Sequence, residues 1–128
     1  LRAASPEEIA SRLAAGEEDC RRASLVLCGH SHVPRAALVG GTLVLNPGSV
    51  GLQAYEEAEP ARHRVQNGTP HARYAIVERR SGHWNARLCS VAYDWEGMRQ
   101  LAANCGRDDW AAALATGTLP REDSTIRA

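Results

Sequence analysis

Residues 25–51, LVLCGHSHVPRAALVGGTLVLNPGSVG, decide the fold. Leu25-Val26-Leu27-Cys28 is a short continuous apolar run ended by Gly29, the pattern of a strand buried on both faces in an α/β sheet. It runs into a polar segment, Gly29-His30-Ser31-His32, which Pro34 closes. Ala36 to Val39 and Thr42 to Asn46 then flank Gly40-Gly41, and a glycine pair at that spacing predicts a tight hairpin. Asn46-Pro47-Gly48-Ser49 leaves the ladder, because proline lacks a donor and Pro-Gly favours a turn with positive φ at the glycine.

Upstream of this stretch, Ser5-Pro6-Glu7-Glu8 has the features of a helix start: an N-cap serine, proline at the first helical position and a glutamate placed to close a capping box. Gly16 interrupts, and the acid-first, base-last order from Glu17 to Arg22 suits a second short helix. Downstream, the polar stretch from Tyr55 to His71, with Pro60, Asn67-Gly68 and Pro70, reads as a long exposed connection without structure of its own. Tyr74, Ile76 and Val77 mark a strand, Ser81-Gly82 a turn, and Trp84, Ala86 and Leu88 an alternating strand. Asp94 is placed to cap a helix with Trp95, Met98, Leu101, Ala102 and Cys105 on one face; Gly106 stops it, and Asp108 starts another carrying Trp110 and Leu114. The tail after Gly117 is polar.

The 128 residues fit one compact domain, and 44% hydrophobic with 23% charged residues excludes a disordered tail. No apolar run is long enough to span a bilayer. Fifteen acids balance fifteen bases, so there is no global field for nucleic acid and no signal for specific nucleic-acid binding. Cys20, Cys28, Cys89 and Cys105 form no CxxC, and no charged-then-apolar leader accompanies them; they read as reduced thiols packed as small hydrophobes in the cytoplasm.

The chemistry concentrates at Gly29-His30-Ser31-His32. Neutral imidazole binds zinc, manganese, iron and nickel, and α/β sheets present ligands beyond the carboxyl ends of their strands. Two histidines alone do not close a metal shell. Cys28 alternates with His30 and His32, which leaves open a mononuclear zinc module with His63, His71 or Cys89 as fourth ligand, against plain apolar packing of Cys28. Around Gly48, backbone N–H groups and the Ser49 hydroxyl suit an anion nest, and a purely structural turn reads equally well.

This stretch resembles the C-terminal signature of the calcineurin-like metallophosphoesterases, in particular the small bacterial and archaeal phosphodiesterase branch. In that family a buried strand enters GHxH, a hairpin follows, and its second strand delivers an NPGS loop; the looser likeness of ARYAIVERR and AYDWEGM extends the resemblance from about Ser5 to Gly117. It implies an α/β (α+β) chain that is part of a four-layer αββα sandwich, with one sheet and flanking helices. Residues 1–117 would be the C-terminal half of the domain and 118–128 a polar tail. It also implies that His30 and His32 each ligate one ion of a dinuclear divalent centre, manganese first, with iron, zinc or nickel as alternatives. Asn46, Gly48 and Ser49 would lie on the substrate side, and no residue of the chain matches a catalytic group.

The implied activity is hydrolysis of a phosphomonoester or phosphodiester. The family's DxH, GD and GNHD/E motifs, and a lone histidine before GHxH, do not occur in the sequence. The expectation is therefore a chain inactive alone, completed by an N-terminal portion or a partner chain that also covers the inner sheet face with Leu25, Leu43 and Leu45. The alternative within the same fold is a non-catalytic protein-interaction scaffold.

Overall fold

The computed structural model describes residues 2–59 and 62–119. The chain divides into two compact units, one built from residues 1–50 and 73–91, the other from residues 51–72 and 92–128. The polar tail beyond residue 119 lies outside the described residues.

The first unit opens with α1 (Pro6–Ala15). Its start is as the sequence predicts: the Ser5 hydroxyl accepts from the Glu8 N–H at 3.2 Å, and the Glu8 carboxylate accepts from the Ser5 N–H at 2.7 Å. This reciprocal box satisfies two of the N–H groups that a helix start leaves orphaned. Arg2 also pairs with Glu8, and Gly16 separates α1 from α2 (Glu18–Arg22).

The chain then forms β1 (Leu25–Leu27), β2 (Arg35–Val39) and β3 (Thr42–Asn46), a three-stranded sheet in the order β1-β3-β2. Strand β3 pairs parallel to β1 and antiparallel to β2. Gly40 and Gly41 both have positive φ, 56° and 86°, as a type I′ hairpin turn requires. The long hairpin β6 (Ala72–Arg80) and β7 (His83–Val91) turns at Ser81-Gly82 with the same chemistry, φ 49° and 82°. The Trp84 indole N–H donates to the Ser24 hydroxyl at 3.0 Å, tying this hairpin to the segment before β1.

In the second unit, β4 (Ala54–Glu57) and β5 (His63–Gln66) form an antiparallel pair, followed by α3 (Trp95–Asn104) and α4 (Asp108–Thr116). Helices α3 and α4 pack together and α4 packs on β4, burying Ala54, Ala113 and Leu114. Gly106 and Gly117 adopt left-handed conformations after the two helices, φ 70° and 68°. Among the described residues no helix is long and apolar enough to cross a membrane.

The mixed α+β class matches the expectation, with the strands distributed over three small sheets. Four local expectations need correction. The segment from Tyr55 to His71 is not structureless: its charged residues are cross-strand partners, Glu56 opposite Arg64 and Glu57 opposite His63, while Val65 is 2% exposed. Strand β1 is not buried on both faces, because it is an edge strand and Leu27 is 60% exposed. Leu45 carries the burial instead, at 1% exposure on the central strand. The apolar stripe of α3 is open at Met98 and Leu101, and Asp94 stands at its N-cap without a side-chain hydrogen bond. The cysteines are unbridged, yet Cys20, Cys28 and Cys105 are exposed rather than packed.

Candidate metal and phosphate site

Parallel pairing of β1 with β3 sends both strands toward the same end of the sheet, and each delivers its motif loop there. The Cys28 N–H donates to the Leu45 carbonyl at 2.9 Å, carrying the ladder one residue past β1 before the chain turns. The turn is Gly29-His30-Ser31-His32, closed by the His32 N–H on the Gly29 carbonyl at 3.0 Å. His30 is exposed and His32 half-buried. His32 holds φ 55°, a left-handed conformation that non-glycine residues seldom adopt and that clusters at functional sites.

On the β3 side, Asn46 is buried, 7% exposed, and both ends of its amide are used. Its Oδ1 accepts from the Gly48 N–H at 2.9 Å, the Asx turn that sets the Pro47-Gly48 bend. Its Nδ2 donates to the Ser31 hydroxyl at 3.0 Å. Asn46 thus fastens the NPGS loop to the residue between the two histidines. Ser31, between the two histidines, is the acceptor of that brace. The alternation HxH marks a spacer but says nothing of what its side chain meets.

Gly48 has φ 92°, and a Cβ there would lie 3.0 Å from Cβ and Cδ of Arg73. The Arg73 N–H donates to the Ser49 carbonyl at 2.9 Å, so β6 abuts the loop directly. Burial holds the Arg73 guanidinium below the usual arginine range. An open cleft of about 440 Å³ lies beside both loops, with Gly29 and Gly48 among its lining residues.

The structure therefore brings His30, His32, Asn46, Gly48 and Ser49 to one end of one sheet. His63 lies on β5 and His71 just before β6, both in the second unit. Among the described residues no three His, Cys, Asp or Glu side chains converge as a metal-binding group. The mononuclear zinc arrangement through Cys28 accordingly finds no third ligand among them. What the chain does offer a metal is two imidazole donors on one tight turn at the carboxyl end of a parallel strand pair, donors that suit a divalent transition metal as part of a larger ligand set.

The family model for the calcineurin-like phosphoesterase superfamily domain matches residues 4–68. The chain belongs to that superfamily. No curated protein and no solved structure matches the chain. The matched span runs from the α1 N-cap through β5 and takes in both motif loops. The superfamily consists of phosphoester hydrolases that generally use divalent metals, which fits the imidazole pair and the anion-suited loop beside it.

Proposed function

We propose that this calcineurin-like phosphoesterase chain supplies part of a metal-dependent centre that hydrolyses phosphomonoesters or phosphodiesters. His30 and His32 are its metal ligands, and the Asn46–Ser49 loop is its phosphate-side wall. The observation that carries this reading is the Asn46–Ser31 hydrogen bond, which couples the imidazole turn to the NPGS loop. Parallel strands fix where both loops start, and the amide bridge fixes their mutual position. Such preorganisation is what a phosphoryl-transfer site requires, since positioning and charge stabilisation supply most of the catalysis.

Two divalent ions, manganese by preference, would supply positive charge against the phosphoryl oxygens and acidify an attacking water. The chain's own residues hold two imidazoles in place and, through Gly48 and Ser49, line the space where the phosphate oxygens would sit. The remaining ligands, the bridging carboxylate above all, come from an N-terminal portion or a partner chain that also covers the apolar sheet face. The unbridged cysteines accord with a reducing, cytoplasmic setting.

The test is hydrolysis of bis(4-nitrophenyl) phosphate with manganese by the protein carrying the complete ligand set. His30→Ala and His32→Ala should each abolish most of the rate. Undiminished turnover in either variant removes the metal assignment, and no turnover in the unsubstituted protein leaves the scaffold reading in front, because a scaffold of this fold does not hydrolyse the ester.

A further inference from the structure

Two residues of the motif loops have positive φ, Gly48 at 92° and His32 at 55°. The glycine adopts that conformation without cost, whereas His32 carries a Cβ that the left-handed region crowds. Such a backbone persists only where its surroundings over-determine it. The turn's own bond, from the His32 N–H to the Gly29 carbonyl, supplies part of the restraint. The rest comes from the NPGS loop, which meets the histidine turn on both sides of His32.

Before His32, the half-buried Ser31 hydroxyl accepts from Asn46 Nδ2 at 3.0 Å. After it, Pro34 biases Val33 toward extended backbone, and the Pro34 Cδ stands 3.4 Å from the position a Cβ at Gly48 would take. Asn46 and Gly48 are themselves joined by the Asx turn, so both contacts lead to one bend at the end of the central strand. His32 thus lies between two points held by the same bend. Its φ sets the direction of the Cα–Cβ bond, and a return to negative φ would swing the imidazole to another side of the chain.

Resting on the metal-ligand reading above, we propose that Ser31 is a positioning residue for His32. Its bond to Asn46, with Pro34 seated against Gly48, holds His32 left-handed and so sets the direction in which the imidazole is offered to a metal. In this role Ser31 touches neither metal nor substrate and acts only through its neighbour. Threonine at position 31 keeps the acceptor for the Asn46 amide, and alanine removes it.

Two measurements test this. In the full chain without metal, NMR carbon shifts and the HN–Hα coupling of His32 report its φ, and hydrogen exchange of its amide reports the bond to Gly29. The parent and Ser31→Thr should show a left-handed His32 with a protected amide. Ser31→Ala should lose both, with the α1 amides unmoved as the sign of a folded unit. Pro34→Ala, which loosens the second contact, should move His32 in the same way and decides the question if Ser31→Ala does not fold. In the protein carrying the complete ligand set, Ser31→Ala should raise the manganese concentration for half-maximal hydrolysis of bis(4-nitrophenyl) phosphate by at least about tenfold, the usual effect of removing support from a metal ligand. The KM for the ester should stay near the parent's, and Ser31→Thr should keep the parent's manganese requirement. A left-handed His32 in folded Ser31→Ala overturns the inference, as does an unchanged manganese requirement. A raised KM at an unchanged manganese requirement overturns it too, because Ser31 would then act on the ester. The proposed function is judged apart from this: turnover that survives His32→Ala removes the metal reading, while the His32 signals of the metal-free chain still decide whether Ser31 holds that residue.

Discussion

Asn46 spans two loops with one amide, and its two bonds can be separated by substitution. Asn46→Ala leaves the Gly48 N–H and the Ser31 hydroxyl without their partner inside a part-buried site, a loss of about 1–3 kcal/mol. Asn46→Asp keeps the acceptor for Gly48 and loses the donor to Ser31, so its loss should be smaller. Urea unfolding of the three proteins checks the order; a full-sized loss in Asn46→Asp would show that the bond to Ser31 dominates. Gly48→Ala meets the stem of Arg73 and an unfavourable φ together. It should destabilise by more than about 1 kcal/mol, with amide shift changes reaching Arg73. At this scale the GHxH and NPGS stretches of the sequence marked the two loops that the parallel strands bring to one end of the sheet. The sequence did not disclose that Asn46 is a brace, because a hydrogen bond between positions 46 and 31 has no periodicity to betray it.

Helix α1 is the element most fully written in its own sequence, since capping is local chemistry. Ser5→Ala removes the acceptor for the Glu8 N–H and should cost about 1 kcal/mol. Glu8 adds a pH dependence: its bonds to the Arg2 guanidinium and the Ser5 N–H hold its carboxyl at about 2, against an ordinary 4.5. A depressed carboxylate stabilises the fold above its unfolded pKa, and that contribution fades as pH falls from about 4.5 through about 2. Glu8→Gln should therefore flatten the acid limb of the stability curve in that window, and an unchanged limb in thermal unfolding from pH 5 to pH 2 would exclude the linkage. Strands β4 and β5 are the opposite case. Their charges look like a solvated loop until Glu56 meets Arg64 and Glu57 meets His63 across the ladder. Gln53 is wholly buried at the base of this pair, its carbonyl and side-chain oxygen both accepting from Asn67.

Taken whole, the molecule consists of two units, each with its own dependence on glycine chemistry. In the second unit the Gly68 N–H donates to the Gly117 carbonyl at 2.9 Å, and a Cβ at Gly117 would collide with the Thr69 backbone. Gly117 also sits at φ 68°, so Gly117→Ala should lower the stability of that unit by more than about 2 kcal/mol. Differential hydrogen exchange checks this, the expected signature being faster exchange in β5 and α4 and none added in α1. Activity is argued at the same scale. With two imidazoles and no third convergent ligand among the described residues, the chain alone should show no measurable hydrolysis of bis(4-nitrophenyl) phosphate. A manganese-dependent rate from the chain alone, removed by EDTA, would show that its own ligands suffice.

By itself the sequence determined the capped start of α1, both hairpin turns and the NPGS turn, because capping and turn geometry act between residues close along the chain. Tertiary structure decided which apolar residues are covered, what Asn46 and Arg73 touch, and that the polar stretch after Tyr55 folds into strands. Those outcomes depend on contacts between segments distant in sequence, and the cost or gain of burying a group exists only once its neighbours are in place.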